Sequence, residues 1–333
     1  MPLQAACQVC GPRAGVAPES LFKCSRCQAV LYCGREHQTT HFPAHKALCR
    51  RIKKMRDLME QEAHEVRNAD EDGWTPANAF ETHAGNFWKI HSTRPYMSAK
   101  MDLIRGLSAI PSRPAIEAAL AETKGCLRLC RSDNVGVREV VPTLLLLLGQ
   151  YQEAYDYIKW YQTSGQDEHY DWANMELPYL DVHGADMTEE LPGRIRDVFF
   201  MSILVYVKMT LANTVKEAVT AYELADRASL PTVVTDSLGA FLAPSGNMRS
   251  LDDLKELHKK LTRQLTEAFS LAHSKNKHFW GVMLDPAPLI QAPDPSFYSP
   301  GDKNEVRVWA EQNAMLWADH HEFIREYRGK MSK

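Results

Sequence analysis

The sequence predicts a mainly α-helical protein in which a short cysteine- and histidine-rich segment precedes a long helical body. Three observations predict it. Six of the eight cysteines fall, with two histidines, into four short-spaced pairs between residues 7 and 49. Beyond them helix follows helix, with apolar stretches such as LLLLL (144–148) and VFFMSILVYV (198–207) that read as buried helices. Signals for strands are scarce outside the first segment.

The pairs come first in chain order. In CQVC (Cys7, Cys10) and CSRC (Cys24, Cys27), two residues between cysteines let a tight turn point both sulfurs at one metal. In YCGREHQTTHFPAHKALC (32–49), Cys33, His37, His41, His45 and Cys49 recur every four residues. On a helix, residues i and i+4 share a face, so Cys33 with His37, and His45 with Cys49, can each supply half a site. Four pairs make eight ligands, enough for two closed zinc sites, and His41 is left over. With four protein ligands each, neither site keeps a position for water, so the metal is expected to be structural. A disulfide framework suits an oxidising compartment, but MPLQAACQVC shows neither a charged n-region nor an apolar h-region. The expected location is therefore cytoplasmic or nuclear.

The order of ligands narrows the type. It runs C-x2-C, C-x2-C, YC-x3-H, seven residues, then H-x3-C. A RING finger would end in CxxC pairs, and a HIT-type finger has a shorter gap before its histidine. The pattern resembles the MYND zinc finger through Cys7, Cys10, Cys24, Cys27, Tyr32, Cys33, His37, Gln38, Phe42, Pro43, His45 and Cys49. Two positions depart from that family: His37 stands where most members have cysteine, and Phe42 where many have tryptophan. His41 falls where members often carry aspartate, in keeping with a place outside the coordination sphere. The resemblance implies a cross-brace, with Cys7, Cys10, Cys33 and His37 on one zinc and Cys24, Cys27, His45 and Cys49 on the other. It also implies a surface for short proline-containing peptides, to which Gln38 and Phe42 correspond. Phe42 keeps an apolar face for a proline ring but lacks the indole N–H donor.

Charge is uneven. Residues 1–54 carry a formal +7, against −3 for the whole chain. Six metal thiolates and two zinc ions would bring the finger to about +5. Nucleic-acid binding through this basic segment is the second reading, set back because its helix is tied to metal along one face. RRIKK (50–54) reads as a solvated helix face rather than a nuclear import patch. No enzyme is expected: HExxH, GxSxG, GxGxxG and the Walker loop are all missing from the sequence. A SET-type lysine methyltransferase is the remaining catalytic alternative. It fits poorly, because six residues precede Cys7, no cysteine follows Cys130, and no Asn-His pair occurs.

The expected organisation is a finger at 7–49, a helix extending from it at 50–67, a hinge at 68–79 and a helical domain at 80–333. Pro43 suits the first turn of the helix that leaves the finger. Later helices are expected at 97–108, 114–131, 137–148, 151–163, 189–211, 214–228, 250–274 and 303–328, with a Pro/Gly-rich arm at 284–302. LLLLLGQYQEAYDYIKWY and VYVKMTLANTVKEAVTAYELA look like tetratricopeptide-type helix pairs, with Ala154 and Ala218 in corresponding places; an irregular bundle is the alternative. No apolar stretch reaches the ~18 residues of a membrane span. Cys126 and Cys130 read as small core residues, and His320-His321-Glu322 as a helix surface. The polar islands HSTRPYM and RSDNVGVRE read as caps and buried ion pairs, with a peptide or small-ligand pocket as the alternative, and KHFWGVML as core. Phrases such as FETHAGNFWKIHSTRPYMSAKMDLI and LDVHGADM also resemble uncharacterised fungal proteins carrying an N-terminal MYND finger.

Overall fold

The computed structural model describes residues 2–69, 76–191, 195, 197–224, 250–293, 295 and 297–331. The chain divides into two compact units, one of residues 1–149 with 169–179 and one of 150–168 with 180–333. Both are helical, and the strands β1 (Phe22–Lys23) and β2 (Leu31–Tyr32) pair antiparallel in the first.

In the first unit, α1 (Arg35–Arg67) is one rod of 33 residues, about 50 Å long at 1.5 Å per residue. It starts at Arg35, upstream of the expected start, so Pro43 lies inside it. A proline there removes one intrahelical hydrogen bond. The rod persists because His37, His45 and Cys49 must project from it in fixed register. The helix expected at 50–67 is the continuation of this rod, and residues 70–75 of the expected hinge lie outside the described residues.

After the short α2 (Ala79–Thr82) come α3 (Arg94–Ser108), α4 (Arg113–Leu129) and α5 (Val141–Leu147). α3 packs against α1 and α4, and α4 against α5. α1 and α3 meet at Gly106, where a Cβ would lie 2.7 Å from Met55 Sδ and 3.2 Å from Ile52 Cδ1. The finger does not stand apart from this layer. Leu3 N–H donates to Leu147 O at 2.8 Å, Arg113 Nη1 donates to Leu3 O at 3.2 Å, and the Ser112 hydroxyl donates to Ala29 O. The compact division therefore differs from the expected boundary at 68–79: the finger shares a unit with the helices up to Gly149.

Both polar islands serve as local structure. Arg94 Nε donates to Trp88 O at 3.1 Å. The Asp133 carboxylate accepts from the backbone N–H groups of Val137 and Arg138 at 2.9 and 2.8 Å. Arg131 reaches the carbonyls of Asn174, Met175 and Leu177 and lies 4.7 Å over the Tyr179 ring, which holds residues 169–179 in this unit.

The second unit contains α6 (Tyr151–Gln162), α7 (Val198–Leu224), α8 (Leu251–Lys275), α9 (Phe279–Leu284), α10 (Ala287–Ile290), α11 (Lys303–Arg307), α12 (Ala310–Trp317) and α13 (His321–Met331). Where two helices were expected across 189–228, one unbroken α7 runs through Asn213 and Thr214, so the second tetratricopeptide-type pair is absent. The helices of the first anticipated pair, α5 and α6, belong to different units. α7 is long and apolar enough to cross a membrane, contrary to the estimate from its shorter apolar run. Yet 83% of its most apolar 18-residue window is buried in the protein, and it packs along α8. A helix apolar on all sides is what the centre of a core demands.

The helix expected at 303–328 is broken into α11, α12 and α13, with Trp309 leaving helical geometry at φ −126°. The Pro-rich stretch after Leu284 includes the short α10, with residues 294 and 296 outside the described set. Trp280 is core, stacked on Phe269 with ring centroids 4.3 Å apart.

Residues 181–189 are fastened by polar contacts within this unit. Asp156 accepts from the backbone N–H of Gly184 and Ala185, and Lys159 bonds both oxygens of Glu189 at 2.7 Å. Fully buried Lys208 donates to Met187 O, Glu189 O and Gln264 Oε1, each at 2.7 Å.

Candidate metal centre

Two knuckles and one helix build the site. The first knuckle turns at Cys7–Cys10, closed by Gly11 N–H to Cys7 O at 2.9 Å and tied to β2 by Gln8 N–H to Leu31 O at 2.9 Å. The second turns at Cys24–Cys27, where Gln28 adopts a left-handed φ of 58° and donates its N–H to Cys24 O at 2.9 Å. Cys33 precedes α1, and His37, His45 and Cys49 project from it.

The eight residues gather as two groups, Cys7/Cys10/Cys33/His37 and Cys24/Cys27/His45/Cys49, with ligand atoms in each within 4.8 Å of one another. Each knuckle thus shares a metal with a different part of α1, which is the interleaving that the resemblance implied. In the first group His37 Nδ1 lies 3.1 Å from Cys10 Sγ, 3.1 Å from Cys33 Sγ and 3.6 Å from Cys7 Sγ. Cys10 and Cys33 are 3.5 Å apart. In the second, Cys24 and Cys49 are 3.8 Å apart, and Cys27 Sγ is 3.4 Å from His45 Nε2. A tetrahedral zinc with ~2.3 Å bonds to sulfur and ~2.0 Å bonds to nitrogen has S···S edges of about 3.8 Å and S···N edges of about 3.5 Å. The donor set and its spacing fit.

The thiols show what the metal must neutralise. Burial pushes the Cys7 thiol up, but backbone N–H groups of Cys10, Val9 and Cys33 and the His37 ring outweigh it and lower it to about 6. Its neighbour Cys10 is pushed up to about 12 by the bond it shares with Cys33, then by burial and by Cys7. Cys27 is likewise pushed up to about 12, chiefly by burial. A group of thiols accepts a first negative charge and resists the second, until a divalent cation inverts the balance. Burial, helped by the charge of His41, lowers the His45 pKa and favours the neutral imidazole that binds metal.

His41 stays outside both groups. Its Nδ1 pairs with the fully buried Tyr32 hydroxyl at 2.9 Å, and its ring stacks on His45 at 5.6 Å. His41→Ala is accordingly expected to leave two zinc ions per chain, counted by native mass spectrometry; one ion would show that His41 is a ligand. Cys126 and Cys130 are buried thiols outside the two ligand groups found among the described residues. His320 faces the Tyr206 hydroxyl at 3.3 Å.

Gln38 and Phe42 lie one turn apart on α1, between the ligand of the first site and those of the second. Gln38 is half-buried and accepts from Arg35 Nη1 at 3.2 Å, while Phe42 is 46% exposed. A groove of about 420 Å³ beside Cys7, lined in part by Leu3, Pro12, Arg13, Pro111 and Arg113, was not anticipated. It forms from segments far apart in the chain and has no local signature.

Two cross-braced, four-ligand zinc sites in one small segment define a structural zinc finger. Residues 7–49 match the MYND finger family, whose fingers commonly mediate protein–protein interactions. No curated protein and no solved structure matches the chain.

Proposed function

We propose that the protein is a non-catalytic adaptor whose finger holds a short apolar, proline-containing peptide while the helical units serve as scaffold. The observation that carries this reading is Phe42, a large apolar side chain left 46% exposed on a helix that both zinc sites hold in place. An exposed aromatic on so rigid a support loses little conformational entropy on binding. Gln38, one turn earlier, offers an amide to a peptide backbone. Closed ligand sets leave the zincs no catalytic position. Transcriptional regulation and recruitment to a ubiquitin ligase, in the nucleus or cytoplasm, both suit such an adaptor.

Binding of proline-containing peptides to zinc-loaded protein, followed by fluorescence anisotropy, tests the reading. Phe42→Ala is expected to weaken the best peptide by about 1–3 kcal/mol while two zincs stay bound. Nucleic-acid binding through the basic finger predicts the reverse: affinity that collapses with salt and is indifferent to Phe42→Ala.

A further inference from the structure

Helix α1 carries more than Phe42 on its solvent side. At about 100° per residue, Lys46, Arg50, Lys53 and Lys54 fall within an arc of about 100°, and Phe42 lies about 40° from Lys46. All four cations are exposed, and the stripe's centre lies about 120° around the helix from the buried line of His45, Cys49 and Ile52. Lys53 pairs with Asp57. Lys46, Arg50 and Lys54 form no ion pair or side-chain hydrogen bond among the described residues. Opposite charges at i,i+4 stabilise a helix, yet here the residues four, eight and twelve positions after Phe42 are Lys46, Arg50 and Lys54. Past Lys54 and Arg56 come Asp57, Glu60, Glu62 and Glu65, of which Asp57 and Glu60 continue the side of the stripe. An apolar anchor, a cationic run and an acidic stop thus lie in order on one rigid rod.

We infer that the peptide held at Gln38 and Phe42 is acidic on one flank, with carboxylates about two to five residues from its apolar anchor. The inference rests on the peptide-binding reading of Gln38 and Phe42 and specifies the partner's chemistry. The spacing follows from the rod. Each four-residue step along α1 advances about 6 Å, close to two residues of extended peptide at ~3.3 Å each. From Phe42 to Lys54 is about 18 Å, roughly five peptide residues. A nucleic acid fits the same stripe less well. Its phosphates continue past the four cations onto Asp57 and Glu60, where like charge repels them. A short acidic flank ends before that point. Carboxylates placed over the stripe gain charge-assisted contacts and faster encounter, and both weaken with salt.

A random twelve-residue peptide library, displayed and selected on zinc-loaded full-length protein, tests the inference. Three selections run in parallel: on the wild type, on Phe42→Ala, and on the combined Lys46→Ser, Arg50→Ser, Lys54→Ser variant. Native mass spectrometry first confirms two zincs in each. The expected result is a set of Phe42-dependent peptides with an apolar core and Asp or Glu enriched roughly threefold or more on one side. In the triple variant that enrichment disappears while the core is still selected. Acidic peptides from the wild-type pool should lose about tenfold in affinity with the triple variant, and this difference should shrink at high salt. Phe42-dependent peptides with neutral flanks would overturn the inference and leave the peptide-binding reading standing. A pool with no Phe42-dependent member would overturn both. Salt-sensitive binding of single-stranded oligo-dT that the triple variant loses, with no acidic preference among peptides, would reassign the stripe to nucleic acid.

Discussion

Removing both zinc ions with a strong chelator is expected to unfold residues 2–49 and leave α7 and α8 intact. The buried apolar set of the finger is small and consists largely of ligands and near neighbours: Cys7, Cys24, Cys27, Ala29, Val30, Leu31, Tyr32 and Cys49. A segment of that size cannot bury enough surface to fold by itself, so each zinc contributes on the order of 10 kcal/mol of its folding free energy. The first half of α1 depends on the metal twice over, because Pro43 interrupts its hydrogen bonds and its ligands fix its register. Loss reaches the helical layer where the finger is bonded to it. Ser112 loses Ala29 O, and Leu3 loses Leu147 O. Further along, α1 is held by Ile52 and Met55 against Gly106 of α3, so the unfolding should stop near residue 50. Hydrogen exchange read by mass spectrometry checks this. Peptides from 2–49 should exchange at the rate of an open chain, those from 198–224 and 251–275 should stay protected, and most of the far-ultraviolet helical signal should remain. Retained protection across 35–49 in zinc-free protein would show that the helix stands without its metal.

The metal sites were legible in the sequence because their chemistry is local. CxxC turns and i,i+4 pairs place ligands by short-range geometry, so eight positions could be named before any fold was known. What could not be read depends on distant partners. Nothing near Ser112 announces Ala29, and nothing near Leu3 announces Leu147, which is why the finger looked separable from the helices behind it. Pro43 misled in another way. Its local preference for a first turn was overridden by the demand that His37, His45 and Cys49 share one rod. A break was expected between helices at 189–211 and 214–228, but Val215 and Ala218 are buried on one continuing helix, and packing decided the matter. The exposed Phe42 was named from resemblance, whereas the cationic steps after it gained meaning only when α1 proved unbroken from 35 to 67.

Lys208→Met is expected to destabilise the second unit by about 2–4 kcal/mol at neutral pH. Two effects oppose each other at this residue. Removing a buried ammonium relieves its desolvation cost, and that cost is real: burial lowers the Lys208 pKa to about 8, with Lys260 adding to it and Asp186, Glu189 and Glu190 opposing. Against this, methionine strands three acceptors that the ammonium satisfies, Met187 O, Glu189 O and Gln264 Oε1. A buried acceptor left unpaired costs about 1–3 kcal/mol; Met187 O and Gln264 Oε1 are buried and Glu189 O half-buried, and together they outweigh the relief. The pH dependence follows from the same shift. The unfolded lysine titrates near 10.5 and the folded one near 8, so between those values the unfolded chain holds the extra proton. Wild-type stability therefore gains from this residue as pH rises through that window, and the penalty of charge burial is fully present below it. Denaturant unfolding of both proteins at pH 7 and pH 9.5 checks the sign, and the gap between them should widen at the higher pH. Equal stability at pH 7, or a gap that narrows on raising the pH, would mean that Lys208 is not the donor that fastens residues 187–189 to α7 and α8.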